Sequence, residues 1–253
     1  MDTNIILETQ GLTKEFRGFV AVRNVNLRVR RGTIHALIGP NGAGKTTVFN
    51  LLTKFHIPTA GRILFNGSDI TAEKPAQIAR RGIVRSFQIS AVFPQMTVLE
   101  NVKVALQRKL GLDHRFWQPV STLRTLDPVA MDLLEQVGLL DAVHLLAADL
   151  PYGRKRTLEI ATTLALDPEL LLLDEPTQGM GHEDVDRIKD LIKKVSAQRT
   201  VLMVEHNMKV VADICDTITV LQRGEVLAEG PYASVSVNPA VREAYMGTEE
   251  EHV

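Results

Sequence analysis

The sequence predicts an α/β fold with a parallel-sheet core, an antiparallel β subdomain at its start and a helical subdomain inserted in its middle. Three observations predict it. Strands alternate with helices at both ends of the chain, the pattern of a parallel sheet. Leu170–Leu173 is wholly apolar, as a strand covered on both faces must be, and Thr200–Val204 reads as a second. Between them and the N-terminal strands, the middle of the chain carries amphipathic helical patterns instead.

Ile5–Glu8 is a short apolar run and reads as a strand. Asn26–Val29 alternates polar and apolar and ends in an Arg31-Gly32 turn. Thr33–Ile38 is a more buried strand, broken by Gly39–Gly44, after which Lys45–Lys54 reads as helix. Arg62–Phe65 alternates again and closes at Asn66-Gly67, a tight-turn pair. Thr97–Leu110 and Pro128–Val137 have apolar residues three and four apart, the period of a helix face. Gly111–Leu126, with Trp117 and Pro119, has no clear period and reads as a loop or broken helix, with Trp117 as an anchor of the helical insert. Helices are predicted over Arg154–Leu166, Glu183–Ser196 and Asn238–Met246. Thr217–Leu221 and Glu225–Ala228 flank Arg223-Gly224 as a hairpin, and Thr248–Val253 is an acidic tail. No internal repeat is present.

Composition bounds the function. Apolar residues make up 45% and charged residues 23%, the composition of a folded globular chain. The net charge of −1 supplies no strong overall field to drive binding to nucleic acid or anionic lipid. Cys215 is the single cysteine, so an internal disulfide framework and a cysteine metal cluster are excluded, and a reducing compartment fits. Cys215 reads as packing, and the seven histidines lack metal-ligand spacing. No apolar run approaches the roughly 18 residues of a membrane span. The start, Met1-Asp2-Thr3-Asn4, lacks the basic region of a signal peptide.

Chemistry begins at Gly39-Pro40-Asn41-Gly42-Ala43-Gly44-Lys45-Thr46, which fits G-x-x-x-x-G-K-[ST] between a strand and a helix. Glycines let backbone N–H groups turn inward around a phosphate, and the helix start adds its positive end. Lys45 reaches the β- and γ-phosphates, Thr46 offers a hydroxyl to Mg2+, and Thr47 continues the loop. A nucleoside triphosphate is implied, with nothing about purpose. After the apolar run Leu170–Leu173 come Asp174 and Glu175. The carboxyl end of a parallel strand is where open α/β sheets bind ligands. Asp174 is placed to hold Mg2+, and Glu175 to orient and deprotonate an attacking water. Adjacent acids favour hydrolysis over transfer to a bound acceptor.

Leu150-Pro151-Tyr152-Gly153-Arg154-Lys155-Arg156, running through Glu159-Ile160-Ala161 to Leu173-Asp174-Glu175-Pro176-Thr177, resembles the signature helix and Walker B segment of ATP-binding-cassette (ABC) ATPases. Tyr-Gly before a basic stretch and "LEIA" resembles the ATPase subunits of branched-chain amino-acid importers. Leu12–Phe16 is similar to the family's adenine-stacking loop, and Phe16 lies 29 positions before Lys45. Ser86-Phe87-Gln88 resembles the glutamine loop, followed by Met96–Val102 as in the family. Val204-Glu205-His206-Asn207 resembles the switch-histidine segment.

The resemblance implies a P-loop NTPase with ATP and Mg2+ as cofactors. It implies a nucleotide-binding core over 1–89 and 161–235, a helical subdomain over 90–160, and a C-terminal helix and tail over 236–253. Phe16 would stack on adenine, Gln88 would sense Mg2+ and the attacking water, and His206 would contact the γ-phosphate. Two such subunits would face each other head to tail, with Leu150–Arg154 of one closing on the ATP of the other. Partners would be two membrane permease subunits, a second homologous ATPase (a heterodimer, with a homodimer as alternative) and an extracytoplasmic substrate-binding protein, with no nucleic acid. The protein would sit peripherally on the cytoplasmic face of the inner membrane.

Pro151 stands where the family usually has a serine, Arg154 where it has glutamine, and Gly181 where an aspartate is common. Proline has neither a hydroxyl nor an N–H donor, so service to the partner's ATP is in question. The basic run Arg154-Lys155-Arg156 reads as a solvated helix face. Competing readings are an importer for urea or other amides, a soluble non-transport ABC ATPase, and a nucleotide-gated subunit that does not hydrolyse. The near-zero charge disfavours the soluble reading, and Glu175 disfavours the last.

Overall fold

The computed structural model describes residues 4–86, 92–109 and 124–246. The N-terminal part runs β1 (Ile5–Phe16), β2 (Phe19–Val25), β3 (Arg28–Arg30), β4 (Ile34–Ile38), α1 (Lys45–Leu52), β5 (Ala60–Phe65), β6 (Ser68–Asp69), α2 (Pro75–Arg80) and β7 (Ile83–Ser86). Next come α3 (Val98–Lys109), α4 (Asp127–Gln136) and α5 (Tyr152–Leu164). The remainder is β8 (Leu170–Asp174), α6 (His182–Ser196), β9 (Thr200–Val204), α7 (Met208–Ile214), β10 (Thr217–Gln222), β11 (Glu225–Gly230), α8 (Tyr232–Val235) and α9 (Pro239–Met246).

Two sheets result. One has the order β11-β10-β4-β9-β8-β7, parallel except for β11. Its strands β4, β8 and β9 are buried along their whole length, so side chains of both parities need apolar partners. Ala36, Leu171, Leu173, Val201 and Met203 face one core, shared with α3, α4, α5, α6 and α7. Leu37, Leu170, Leu172 and Leu202 face the other, filled by α1 and the second sheet. That second sheet is antiparallel, β2-β1-β5-β6, with β3 also paired to β1. No helix among the described residues is long and apolar enough to cross a membrane.

The predicted α/β class and its elements stand, with differences that have local causes. β1 runs to Phe16 rather than stopping at Glu8, because Gly11 (φ 59°) and irregular register on both partners absorb the break in alternation. Thr9, in mid-strand, is buried and satisfied: its Oγ1 donates to Val25 O and accepts from Leu27 N. The predicted strand Asn26–Val29 is only β3, and β2 before it is additional. α2 starts at a proline, where its missing N–H costs nothing. The tail at 248–253 and most of Gly111–Leu126, including Trp117, lie outside the described residues.

His35 on β4 is fully enclosed. Its Nε2 is 2.8 Å from Thr219 Oγ1, which donates to Glu229 Oε2 at 2.6 Å. The threonine proton is thereby used, so His35 Nε2 is the donor. Burial lowers its pKa from 6.5 to about 4. The unfolded ring takes a proton below 6.5 and the folded one only near 4. Stability therefore falls as pH drops through that window, by about 1.4 kcal/mol per unit. Urea unfolding at pH 7 and 5 should show this loss in the wild type and a smaller one in His35→Gln. Equal losses would refute it.

Candidate functional site

The phosphate loop leaves β4 at Ile38 and re-enters helix at Lys45. Its glycines answer different demands. At Gly39 (φ 149°) a Cβ would sit 2.2 Å from Leu221 O, and at Gly44 (φ 102°) 2.7 Å from Ala21 O. Both are set by close approach of β10 and β2. Gly42 (φ 75°) meets nothing within 4 Å and is needed for its backbone angle alone. Gly224 N donates to Ala43 O at 3.0 Å, fastening the loop to the β10–β11 turn. Asn41, Gly42 and Thr46 are exposed, Pro40 and Thr47 half-buried and Ala43 buried.

Lys45 is buried and folds back across the loop, with Nζ donating to Gly39 O (2.7 Å) and Pro40 O (2.9 Å). Desolvation lowers its pKa, opposed by the carboxylates of Glu175 and Asp174. The lysine and the acid pair therefore share one electrostatic site. Tyr245 on α9 places its hydroxyl at the Gly39 backbone, and burial raises its pKa to about 12.

Asp174 ends β8 deep in the molecule. Arg85 Nη2 donates to its Oδ2, and Arg156 Nη2 donates to its backbone carbonyl at 2.6 Å. Glu175 follows in the left-handed region (φ 47°), held by its N–H to Val204 O at 2.9 Å. Its Oε2 lies 3.2 Å from His206 Nε2, so the fold brings acid and histidine together. Glu205 fixes that turn. Its carboxylate accepts from the Thr177 hydroxyl and from the N–H groups of Thr177, His206 and Asn207.

These groups fit a nucleoside triphosphate with Mg2+. The donors near Lys45 are hydroxyl and carboxylate oxygens, which suit that hard cation. Among the described residues no group of three or more His, Cys, Asp or Glu forms a metal cage. A cation that shares its coordination with substrate phosphates needs none.

Phe16 ends β1 opposite Phe19, at a turn through Arg17 and Gly18. Its ring is 38% exposed, with His56 edge-on at 5.1 Å and Lys14 Nζ 4.9 Å from its centroid. Gln88 lies outside the described residues. In Leu150–Arg154, Leu150 is buried, while Pro151 and Tyr152 are exposed. A Cβ on Gly153 would fall 2.4 Å from the Asp184 carboxylate.

The basic run is not a solvated face throughout: Arg154 and Lys155 are half-exposed, but Arg156 is not. Arg156 is buried, paired with Glu159 at 2.7 Å as well as with Asp174 O. Arg154 forms a bidentate pair with Asp141, and Lys155 Nζ donates to Ala148 O. Three adjacent cations read as solvated while Asp141, Ala148 and Asp174, which lie in other segments, are unplaced. Arg85 and Glu205 were likewise missed. The one signal available was their adjacency to the glutamine and histidine segments.

A family model described as "ABC transporter" matches residues 22–178, and one described as "Branched-chain amino acid ATP-binding cassette transporter" matches 225–251. The chain is 42% identical over 251 residues to the high-affinity branched-chain amino acid transport ATP-binding protein BraF of Pseudomonas aeruginosa, covering 96% of this chain and 98% of that one. It is 41% identical over 249 residues to LivG of Escherichia coli, which carries the same description, with the same coverage. Among solved structures it is similar to the ADP conformation of MJ1267, an ATP-binding cassette of an ABC transporter, with TM-score 0.83, 29% identity, and 96% and 99% of the two chains covered. It is also similar to a dimeric, post-hydrolysis form of the cassette MJ0796 bound to ADP and Pi, with TM-score 0.74, 25% identity, and 90% and 99% covered.

Proposed function

This chain belongs to the ABC transporter family of ATP-binding, ATP-hydrolysing subunits, and from that premise we propose that it drives an importer of branched-chain amino acids. The observation that carries the substrate class is the near-full-length likeness to BraF and LivG.

Backbone N–H groups of Gly42–Thr47 and the Lys45 ammonium bind the phosphates, and Phe16 stacks on adenine. When bound, Mg2+ would supply charge neutralisation at the phosphates, and Thr46, Gln88 and Asp174 are the residues that would hold it. Glu175 takes the proton of the attacking water, and His206 and Gln88 orient the γ-phosphate and that water. Two such subunits pair head to tail. The division into a core over 1–89 and 161–235, a helical subdomain over 90–160 and a C-terminal segment over 236–253 is part of this reading. The exposed apolar residues Phe93, Met96, Leu145 and Leu146, on two backbone segments that pair with each other, suit docking of a permease helix. The protein then lies peripherally on the cytoplasmic face of the membrane, and an extracytoplasmic binding protein delivers the substrate.

The test is reconstitution with a branched-chain amino-acid permease pair and its binding protein. ATP turnover stimulated by leucine-loaded binding protein is expected, whereas stimulation only by urea or an amide would reject the substrate class. Phe16→Ala should weaken ATP binding by about 1–3 kcal/mol, the range for base stacking on an aromatic ring. An unchanged dissociation constant would remove Phe16 from the site.

Pro151 motivates a heterodimer with unequal sites. The partner's ATP meets a signature lacking one hydroxyl donor, and Arg154, engaged with Asp141, does not replace it. Loss of a donor to a charged oxygen costs roughly 1.5–3 kcal/mol. Turnover measured at each site with the other disabled should differ, and Pro151→Ser should raise the slower. Equal sites, unmoved by Pro151→Ser, would overturn this.

A further inference from the structure

The Arg85 side chain occupies a place that the roles above leave unexplained. It projects from β7, the edge strand paired with β8. Its Nη1 donates to Asn50 Oδ1 on α1 at 2.7 Å, and its Nη2 to Asp174 Oδ2 at the end of β8. The guanidinium carbon stands 5.6 Å from the Phe49 ring centroid. The Arg85 and Asp174 side chains are only 8% and 4% exposed. One planar fork thus ties together the strand leading to the glutamine segment, the helix that begins at Lys45, and the acid at the carboxyl end of β8.

A buried ion pair is a poor device for stability alone, because desolvation offsets most of the Coulomb gain. It is a good device for orientation. Arginine's donors are rigidly spaced, so Asn50 on one nitrogen fixes where the other meets the carboxylate. With Oδ2 taken by Arg85, Oδ1 remains the oxygen that can face a hydrated cation. Meanwhile Arg156 holds the carbonyl of the same residue. Asp174 is therefore gripped at its side chain and its backbone by two arginines from different elements.

We propose that Arg85 is a positioning residue for magnesium: anchored by Asn50, it holds the Asp174 carboxylate so that one oxygen is presented to the cation. This rests on the reading of Asp174 as the magnesium-side acid. It extends that reading to a residue three positions before Gln88, outside the nucleotide-contacting motifs. Partners that orient a metal-side carboxylate commonly contribute about tenfold or more to metal affinity.

The experiment titrates manganese(II) into the full chain saturated with ADP, reading the bound ion by electron paramagnetic resonance. ADP affinity in EDTA is measured alongside. Arg85→Met keeps the aliphatic length and removes the fork; it should weaken manganese binding about tenfold, with metal-free ADP affinity unchanged. Asp174→Asn should weaken it at least as much. Arg85→Lys, which can reach Asp174 or Asn50 but not both, and Asn50→Ala should each fall between Arg85→Met and wild type. These two variants carry the test should Arg85→Met fail to fold. If Asp174→Asn weakens manganese binding and the folded Arg85 and Asn50 variants do not, the positioning role is wrong and the reading of Asp174 survives. If Asp174→Asn itself leaves manganese binding unchanged, that reading fails and the inference falls with it. A loss of metal-free ADP affinity equal to the loss of metal affinity would make Arg85 a structural prop and overturn the proposal.

Discussion

Replacing Glu175 by glutamine is expected to cut ATP turnover by a factor of about 10²–10⁴ while leaving ATP affinity nearly unchanged. Glutamine has the same shape and still accepts hydrogen bonds, so the ground-state contacts persist. It cannot take a proton from water, so the loss falls on the chemical step. The geometry favours this assignment over that of a passive strand end. Glu175 is held at φ 47°, a conformation that costs a non-glycine residue on the order of 1 kcal/mol. Its backbone bond to Val204 O enforces that angle, and the side chain turns toward His206 at 3.2 Å with 16% exposure. Steady-state turnover and an equilibrium dissociation constant for ATP decide the matter. Wild-type turnover in Glu175→Gln would remove Glu175 as the base.

Lys45→Ala is expected to weaken ATP binding by roughly 3 kcal/mol, about a hundredfold, the range for removing one member of a buried, hydrogen-bonded charge pair. The loss has two sources. The ammonium no longer meets the β- and γ-phosphates. Its bonds to Gly39 O and Pro40 O, which hold the loop closed on itself, also disappear. The substitution should therefore show in binding, unlike Glu175→Gln. An affinity within threefold of wild type would contradict the role of Lys45. Applied together, the two variants separate the phosphate clamp from the chemical step.

Much of the site was legible because its grammar is local. Gly39–Thr46 is a contiguous stretch whose backbone angles and single cation are written in adjacent residues. Leu170–Leu173 followed by two acids places carboxylates at a strand end whatever the strand's neighbours. The same holds for the turns Asn66-Gly67 and Arg223-Gly224, whose residues all have positive φ. The closeness of His206 to Glu175 is a different matter, since it depends on β8 pairing with β9.

The family, the triphosphate chemistry and the alternation of strand and helix can thus all be read over short windows of the chain. Tertiary structure alone decided which charges are paired and which glycines are forced. Arg156 reads as solvated among Arg154 and Lys155 until β8 brings the Asp174 carbonyl to it. Arg85 looked like an ordinary strand residue until α1 and β8 met it. Gly39 and Gly44 seemed to serve the phosphate, yet Leu221 O and Ala21 O, far off in sequence, exclude any side chain there. The reason is physical. Backbone angle and side-chain period are properties of neighbouring residues, whereas desolvation and steric exclusion depend on what other segments bring to the same point in space.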